Sequence, residues 1–238
     1  MAVSKEVLAK MRIARCADIC DALDSLGLQD RYEMSLEMRP IFTGIRFCGI
    51  AHTQEYIRTD QRMPYLSYDD FDRLQYTIIS EGGYHFMKSK DIPSYNGAPD
   101  EVLVIDAKGA RAGVLGSENT LNMTSNGVVG FVIDGTLRDS PEAIMQKAPG
   151  FCTIRSYTHP EGRLHVHTDN QPIVCAGVMV RPGDIIAGDD DGVIVVPQDI
   201  AAEVADRAYK IQAKDRISRR ATYAKLGIPF DKTVELLP

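Results

Sequence analysis

Two short segments bring together residue types that could do chemistry. The first is Gly109-Ala-Arg-Ala-Gly113-Val-Leu115-Gly116-Ser117. Its glycines let the backbone turn sharply and leave N–H groups open, and a helix starting directly afterwards would add the positive end of its dipole. A carboxylate or a phosphate suits such a loop. The spacing matches neither G-x-G-x-x-G nor G-x-x-x-x-G-K-[ST], so a nucleotide is not indicated. A plain turn with Ser117 capping the helix accounts for the same residues. The second segment is Asp134-Gly-Thr-Leu-Arg138-Asp139, which follows an apolar run directly. Strand ends are where α/β sheets hold ligands. Arg138 offers a rigid planar fork to a carboxylate or an enolate oxygen, and Asp139 offers a hard oxygen to Mg²⁺ or Mn²⁺. A surface ion pair after a turn is the blander account of these two.

Other polar residues are weaker candidates. His165 and His167 alternate in RLHVHT and share one face of a strand, without an evident third metal ligand. They fit an exposed strand edge, or contact with the distal end of a substrate. His52 and His85 read as structural. The run 189–191 is acidic but lacks the alternating ligand positions of a calcium loop, so a hairpin turn explains it. Asp18 and Asp21 fit caps or ion pairs.

The elements that must position these residues follow from periodicity. Apolar residues at 3.6-residue spacing predict helices over 4–26, stopped by Gly27, and an amphipathic helix over 200–226 with Ala201, Val204, Ala208, Ile211 and Ile217 inward. Residues 43–57 alternate and predict a strand pair or one long bent strand. EVLVID (101–106) and VVGFVID (128–134) are short apolar runs typical of buried strands. Between them lie the glycine-rich turn and room for a short helix over 117–126, the outline of a βαβ unit. Residues 173–179 and 184–187 read as strands broken at Pro182 and Gly183, and 193–197 as a strand after the GDDDG turn. The pattern weakens over 58–99, with one helix predicted over 68–80 and a stop at Gly82 and Gly83. No repeat or flexible linker breaks the chain, which favours a single domain.

The totals bound the function. The 238 residues are 44% hydrophobic and 25% charged, as in globular proteins, and carry a formal charge of −6. No Lys/Arg cluster exceeds the pair Arg219 and Arg220, so a nucleic-acid partner is not expected. Five scattered cysteines without a C-x-x-C pair suggest neither a disulfide framework nor a zinc knuckle; with no apolar run near ~18 residues, neither a signal peptide nor a membrane span is expected. The expected compartment is the reducing cytoplasm.

Four stretches, ADICDALDSLG (17–27), GARAGVLG (109–116), GVVGFVIDGTLRD (127–139) and VRPGDIIAGDDDGVIVVP (180–197), together resemble the family that groups the regulator of ribonuclease activity A with the class II pyruvate aldolases, such as 4-hydroxy-4-methyl-2-oxoglutarate aldolase. The resemblance implies an α/β fold, a swivelling α-β-β-α sandwich with a mixed central sheet, one domain over 1–238 with a variable insertion at about 58–98. It implies homotrimers or homohexamers with active sites at subunit boundaries. In the aldolases the arginine of the Arg-Asp pair stabilises the enolate of a 2-oxo acid and the aspartate holds a divalent metal; these positions are Arg138 and Asp139. The substrate carboxylate maps onto the backbone of Gly113, Leu115, Gly116, Ser117 and Asn119. Asp215, on the C-terminal helix of a neighbouring copy, is the candidate for the metal's outer shell.

One departure matters. The aldolases carry an acid 21 positions before the arginine, where this chain has Ser117. Serine is a poor general base without a partner, and the adjacent Glu118 is rotated by about 100° on a helix. The following residues are unusually polar. Retro-aldol cleavage needs a base for the substrate hydroxyl, whereas decarboxylation of a β-keto acid needs only an electron sink. The expectation is therefore a Mg²⁺- or Mn²⁺-dependent lyase that favours oxaloacetate-type decarboxylation, or an altered and more hydroxylated aldol substrate. The alternative is a non-catalytic regulatory protein of the ribonuclease-inhibitor type, which metal dependence would exclude. Methyl transfer to a quinone has no support, because no glycine loop of the S-adenosylmethionine type follows the first strand.

Overall fold

The two helices read at the N-terminus are set by their caps. In the computed structural model, which describes residues 3–59, 62–73 and 95–237, α1 spans Lys5–Ile13 and α2 spans Cys16–Asp24. Ser4 accepts a hydrogen bond from the Val7 amide at the start of α1. Asp18, almost wholly buried, accepts from the Arg15 amide at 2.8 Å and from the Arg15 guanidinium at 2.5 Å, so it closes the start of α2 rather than doing chemistry.

The apolar runs pair into one mixed sheet. Its strands are β1 (Arg39–Pro40), β2 (Phe47–Arg58), β3 (Glu101–Asp106), β4 (Gly113–Leu115), β5 (Gly130–Leu137), β6 (Gly150–Arg155), β7 (Leu164–Asp169), and, after a separate hairpin of β8 (Ile173–Cys175) and β9 (Val178–Val180), β10 (Ile185–Asp189) and β11 (Gly192–Val196). The order is β1-β6-β5-β3-β2-β10-β11; β6, β5, β3 and β2 run parallel, and β1, β10 and β11 are antiparallel to their neighbours. β2 is one 12-residue strand, bulged between Glu55 and Tyr56. It pairs with β10 along its first half and β7 along its second. β3 and β5 are almost wholly buried, which is why they read as continuous apolar runs rather than alternating ones.

Two apolar clusters flank this sheet. One joins β3, β5 and β6 to the segment Met34–Phe47 and the β8–β9 hairpin. The other packs α1, α2 and the first half of α5 (Ala201–Leu226) on β10 and β11. The acidic turn is structural: Asp189 accepts from the Cys16 amide at 2.9 Å and Asp190 from the Gly44 amide at 2.7 Å. The long helix corrects one expectation. Ala201, Val204, Ala205, Ala208 and Gln212 are buried, but Ile217 is 60% exposed. Beyond Gln212 the helix meets the C-terminal segment through polar contacts, Arg216 and Arg219 donating to the carbonyls of Glu235 and Thr233. Helix is present at 68–73; the rest of the stretch predicted to 80, the stop at Gly82 and Gly83, and His85 lie outside the described residues. Among the described residues no helix is long and apolar enough to cross a membrane.

Candidate active site

The end of β5 carries the Arg-Asp pair, and β4 holds it there. β4 pairs in parallel with β5, matching Gly113 to Thr136 and Leu115 to Leu137, and the Arg138 amide donates to the Leu115 carbonyl at 3.0 Å. The alkyl part of Arg138 lies against the bare Cα of Gly113; a Cβ there would meet Arg138 Cβ and Cγ at 2.9 Å. Asp139 sits at φ 56°, in the left-handed region that Asp tolerates better than most residues, and caps the short helix α4 (Ser140–Met145), which follows α3 (Ser117–Ser125) in the chain. That turn swings the carboxylate back over Gly116. Its Oδ1 accepts from Arg138 Nε at 3.1 Å, and its Oδ2 accepts from the Ser117 amide at 3.3 Å.

The loop is thus partly strand and partly helix start. Gly116, not Ser117, is the N-cap of α3, and Ser117 is its first helical residue. The amides of Glu118 and Asn119, in the same first turn, have no acceptor within the helix, so they remain available to an anion. Glu118 and Leu121 point to solvent, and Thr120 is the helix's one buried residue. The polarity of this helix reflects that exposure. A Cβ at Gly116 would come within 2.4 Å of Asp139 Oδ2. Since the obstructed atom is the tip of a side chain, Gly116→Ala is expected to leave the melting temperature nearly unchanged while displacing the carboxylate. Any activity that needs Asp139 should fall about tenfold or more, by the sensitivity of catalysis to misplacements near 1 Å.

The acids at the ends of the neighbouring strands are already engaged. Asp134 accepts from the Ala176 amide at 3.0 Å and so anchors the β8–β9 hairpin. Asp106 accepts from the Lys108 amide at 2.8 Å, and Lys108 Nζ joins it to Glu55. His52 contacts Asp169 at 3.0 Å and stacks on Tyr95 with ring centroids 3.8 Å apart, the structural role expected of it. His165 is half-buried on β7 opposite Ile57, and His167 is exposed, 4.0 Å from Glu55 Oε2.

Two residues that carry no recognisable motif stand beside the pair. The Gly113 amide donates to the Thr158 carbonyl at 3.0 Å, and Thr158 Oγ1 donates to the Arg111 carbonyl. The loop after β6 is thereby pinned to the strand that supports Arg138, and it brings in His159 and Glu161. Burial, then Arg138 and Arg163, pushes His159 down to about 4, against a smaller opposing pull from Asp139. Burial pushes the Glu161 carboxyl up, partly opposed by Arg138. Both Glu161 carboxylate oxygens are buried without a hydrogen-bond partner. The available signal was position: a His-Pro-Glu run just beyond the strand paired in parallel with β5.

The residues present suit a hard, water-rich cation. Each Asp139 oxygen accepts one hydrogen bond and keeps acceptor capacity, the carboxylate is one-third exposed, and such ions typically take one or two protein carboxylates. Asp215 is not brought to this pair within the chain; it lies on α5, bonded to Arg15 at 2.9 Å. Among the described residues one other group of potential ligands, Cys20, Asp24 and Glu33, clusters within 4.8 Å and includes none of the site residues.

The model of one protein family, RraA-like (Aldolase/RraA), matches residues 16–195, a span that includes the whole Arg-Asp site. This chain belongs to the RraA-like family. Among curated relatives of this RraA-like chain, a protein of Halalkalibacterium halodurans named "putative 4-hydroxy-4-methyl-2-oxoglutarate aldolase" is 38% identical over 128 residues, 53% of this chain and 60% of that protein. Legionella pneumophila DlpA is 27% identical over 82% of this chain and 28% of its own length. The chain therefore spans less than two thirds of either relative. An uncharacterised Pseudomonas syringae protein superposes with a TM-score of 0.73 at 25% identity, covering 99% of this chain and 100% of its own. Streptomyces coelicolor RraAS2, described as an unusual member of the RNase ES inhibitor RraA protein family, gives 0.70 at 25% identity over 92% and 98%. The RraA-like fold agrees with the mixed α/β sandwich expected from the sequence.

Proposed function

We propose that this RraA-like chain is a divalent-metal-dependent carbon–carbon lyase acting on a 2-oxo acid and releasing pyruvate. The observation that carries the reading is the Arg138–Asp139 pair, held at the end of β5 against Gly113 and Gly116 and next to open helix amides. Mg²⁺ or Mn²⁺ would be held by Asp139, with Asp215 of a neighbouring copy in its outer shell, in a homotrimer or homohexamer with sites at subunit boundaries. When bound, the ion would supply Lewis acidity at the 2-oxo group. The chain's own residues do the rest. The amides of Glu118 and Asn119 receive the substrate carboxylate. Arg138 engages Asp139 through Nε, and its two terminal nitrogens, free of hydrogen bonds to described residues, hold the enolate oxygen as charge builds on it.

The substrate preference follows from what position 117 lacks. Ser117 uses its amide on Asp139, and Glu118 points to solvent, so neither supplies a base for a substrate hydroxyl. Loss of CO₂ from oxaloacetate requires no such base, and that reaction is favoured over cleavage of 4-hydroxy-4-methyl-2-oxoglutarate. The test is pyruvate release from oxaloacetate with and without Mg²⁺ or Mn²⁺, above the free-metal background. Metal-dependent turnover that drops about 100-fold in Asp139→Ala supports the lyase, a loss comparable to removing one preorganised transition-state contact. Turnover that ignores both metal and Asp139 overturns it and favours a binding protein of the ribonuclease-inhibitor type.

A further inference from the structure

We propose that Cys20, Asp24 and Glu33 form a second metal site, which takes a thiophilic divalent ion of the Zn²⁺ class. It shares no residue with the Arg138–Asp139 pair and does not depend on the lyase reading.

The geometry is that of a metal's ligands. Cys20 and Asp24 stand four residues apart on the last turn of α2 and so share one face of it. Glu33 comes back from beyond the turn at Gly27, and the three ligand atoms lie within 4.8 Å of one another. Cys20 Sγ is 3.5 Å from Glu33 Oε1. Zn–S and Zn–O bonds of about 2.3 and 2.0–2.2 Å, at a tetrahedral angle, put sulfur and oxygen about 3.5 Å apart. The thiol donates to Glu33 along this line. A bound ion would take the place of the thiol proton, which passes to solvent, and nothing is oxidised or reduced. Both halves of the site are fixed by β11. The Cys16 amide donates to Asp189 at 2.9 Å, and α2 packs on β10 and β11. Glu33 bridges to Ile194 between two backbone bonds, Val195 amide to Tyr32 carbonyl at 2.9 Å and Met34 amide to Val193 carbonyl at 3.0 Å. Glu33 Oε2 accepts from the Tyr32 amide at 3.0 Å, which leaves Oε1 turned to the sulfur. Ligands held in this way need little ordering when an ion arrives.

The charge around the cluster points the same way. Burial, then Glu33, Asp24 and Asp21, push the Cys20 thiol up to about 11. The strongest charge effects on it are thus all negative, and the C-terminal end of α2 adds the negative end of its dipole. Among the described residues no ion pair joins Asp24 or Glu33 to a lysine or arginine. Arg207 reaches the adjacent Ser25, but it donates to the Ser25 carbonyl and hydroxyl and pairs with Glu203. A thiol among uncompensated carboxylates suits a cation that accepts sulfur. That favours Zn²⁺, Co²⁺ or Cd²⁺ over Mg²⁺, whose ligands are hard oxygens. Three protein ligands leave a fourth position to water. The ion would clamp the loop 25–32 to the end of α2.

Co²⁺ is the probe, because a thiolate ligand gives it a near-ultraviolet charge-transfer band that oxygen ligands do not. The whole chain, reduced and stripped of metal, is titrated with Co²⁺. The band should appear, bleach when Zn²⁺ displaces the cobalt, and survive a large excess of Mg²⁺. Cys20→Ser should abolish it. Asp24→Asn and Glu33→Gln should each weaken Co²⁺ binding about 100-fold, at least the loss that follows removal of an outer-shell partner. Asp139→Ala should leave the band unchanged. In that variant, Zn²⁺ at about a hundred times its Kd should raise the melting temperature by about 5–10 °C, and adding Cys20→Ser should remove the rise. No band in the wild type overturns the inference. So does a band that persists in Cys20→Ser, since its source would be one of the other four cysteines, all buried. Unchanged affinity in both Asp24→Asn and Glu33→Gln would reduce the site to a lone thiol and overturns it as well; these two variants decide the matter if Cys20→Ser does not fold. Each of these failures leaves the lyase reading untouched.

Discussion

Arg138→Ala is expected to lower metal-dependent pyruvate release from oxaloacetate by about 10²- to 10³-fold, the range seen when one donor to a developing oxyanion is removed. The backbone around it should hardly change. Arg138 makes its strand bond through the main chain, to the Leu115 carbonyl, and its side chain is only partly buried. Most of the loss should appear in kcat, since the contact strengthens as charge reaches the enolate oxygen. Arg138→Lys should recover little. A lysine keeps the charge but not the planar fork that can bond Asp139 through one nitrogen and substrate through the others. Steady-state kinetics of the three proteins at saturating metal check this; a lysine variant within about threefold of wild type would mean that charge alone suffices.

Phe47→Ala is expected to be the most damaging substitution to the fold, costing about 3–5 kcal/mol in denaturant unfolding. The ring meets Phe151 edge-on, with centroids 5.5 Å apart and planes at 83°. It also covers two bare glycines: Cβ atoms at Gly130 and Gly188 would each lie 2.7 Å from it. Removing the ring leaves a cavity walled partly by strand backbone, which cannot collapse inward as side chains can. Phe47 therefore fastens β2 to β10 and β5, and β5 is the strand that ends in Arg138 and Asp139. Phe47→Leu should cost much less, since it retains most of the buried volume.

Much of this was legible because it is local. A 3.6-residue period and a glycine stop are enough to place α1 and α2, and continuous apolar runs are enough to place β3 and β5. The loop 109–116 and the pair Arg138 and Asp139 could be singled out without coordinates, and the structure brings them together at the end of β5. Where local patterns misled, a global constraint had intervened. Ile217 has the spacing of a core residue, but α5 extends past the sheet that could cover it. Ser117 looks like an N-cap, but the carboxylate of Asp139, 22 residues away, accepts its amide and leaves Gly116 in the cap position.

The sequence by itself determined the residue types at the site, the strand that delivers Arg138 and Asp139, and the serine at position 117. Only the tertiary structure decided what surrounds them. Gly113 and Gly116 are required because side chains from the end of another strand occupy the space where their Cβ atoms would be. His159 and Glu161 enter the site because parallel pairing of β5 with β6 brings both strand ends to one edge, where the Gly113 amide then pins the following loop. Neighbours along the chain impose periodicity and caps, which a sequence displays. Burial without a partner, and the meeting of two strand ends, arise from residues far apart in sequence and become visible only when the sheet is assembled.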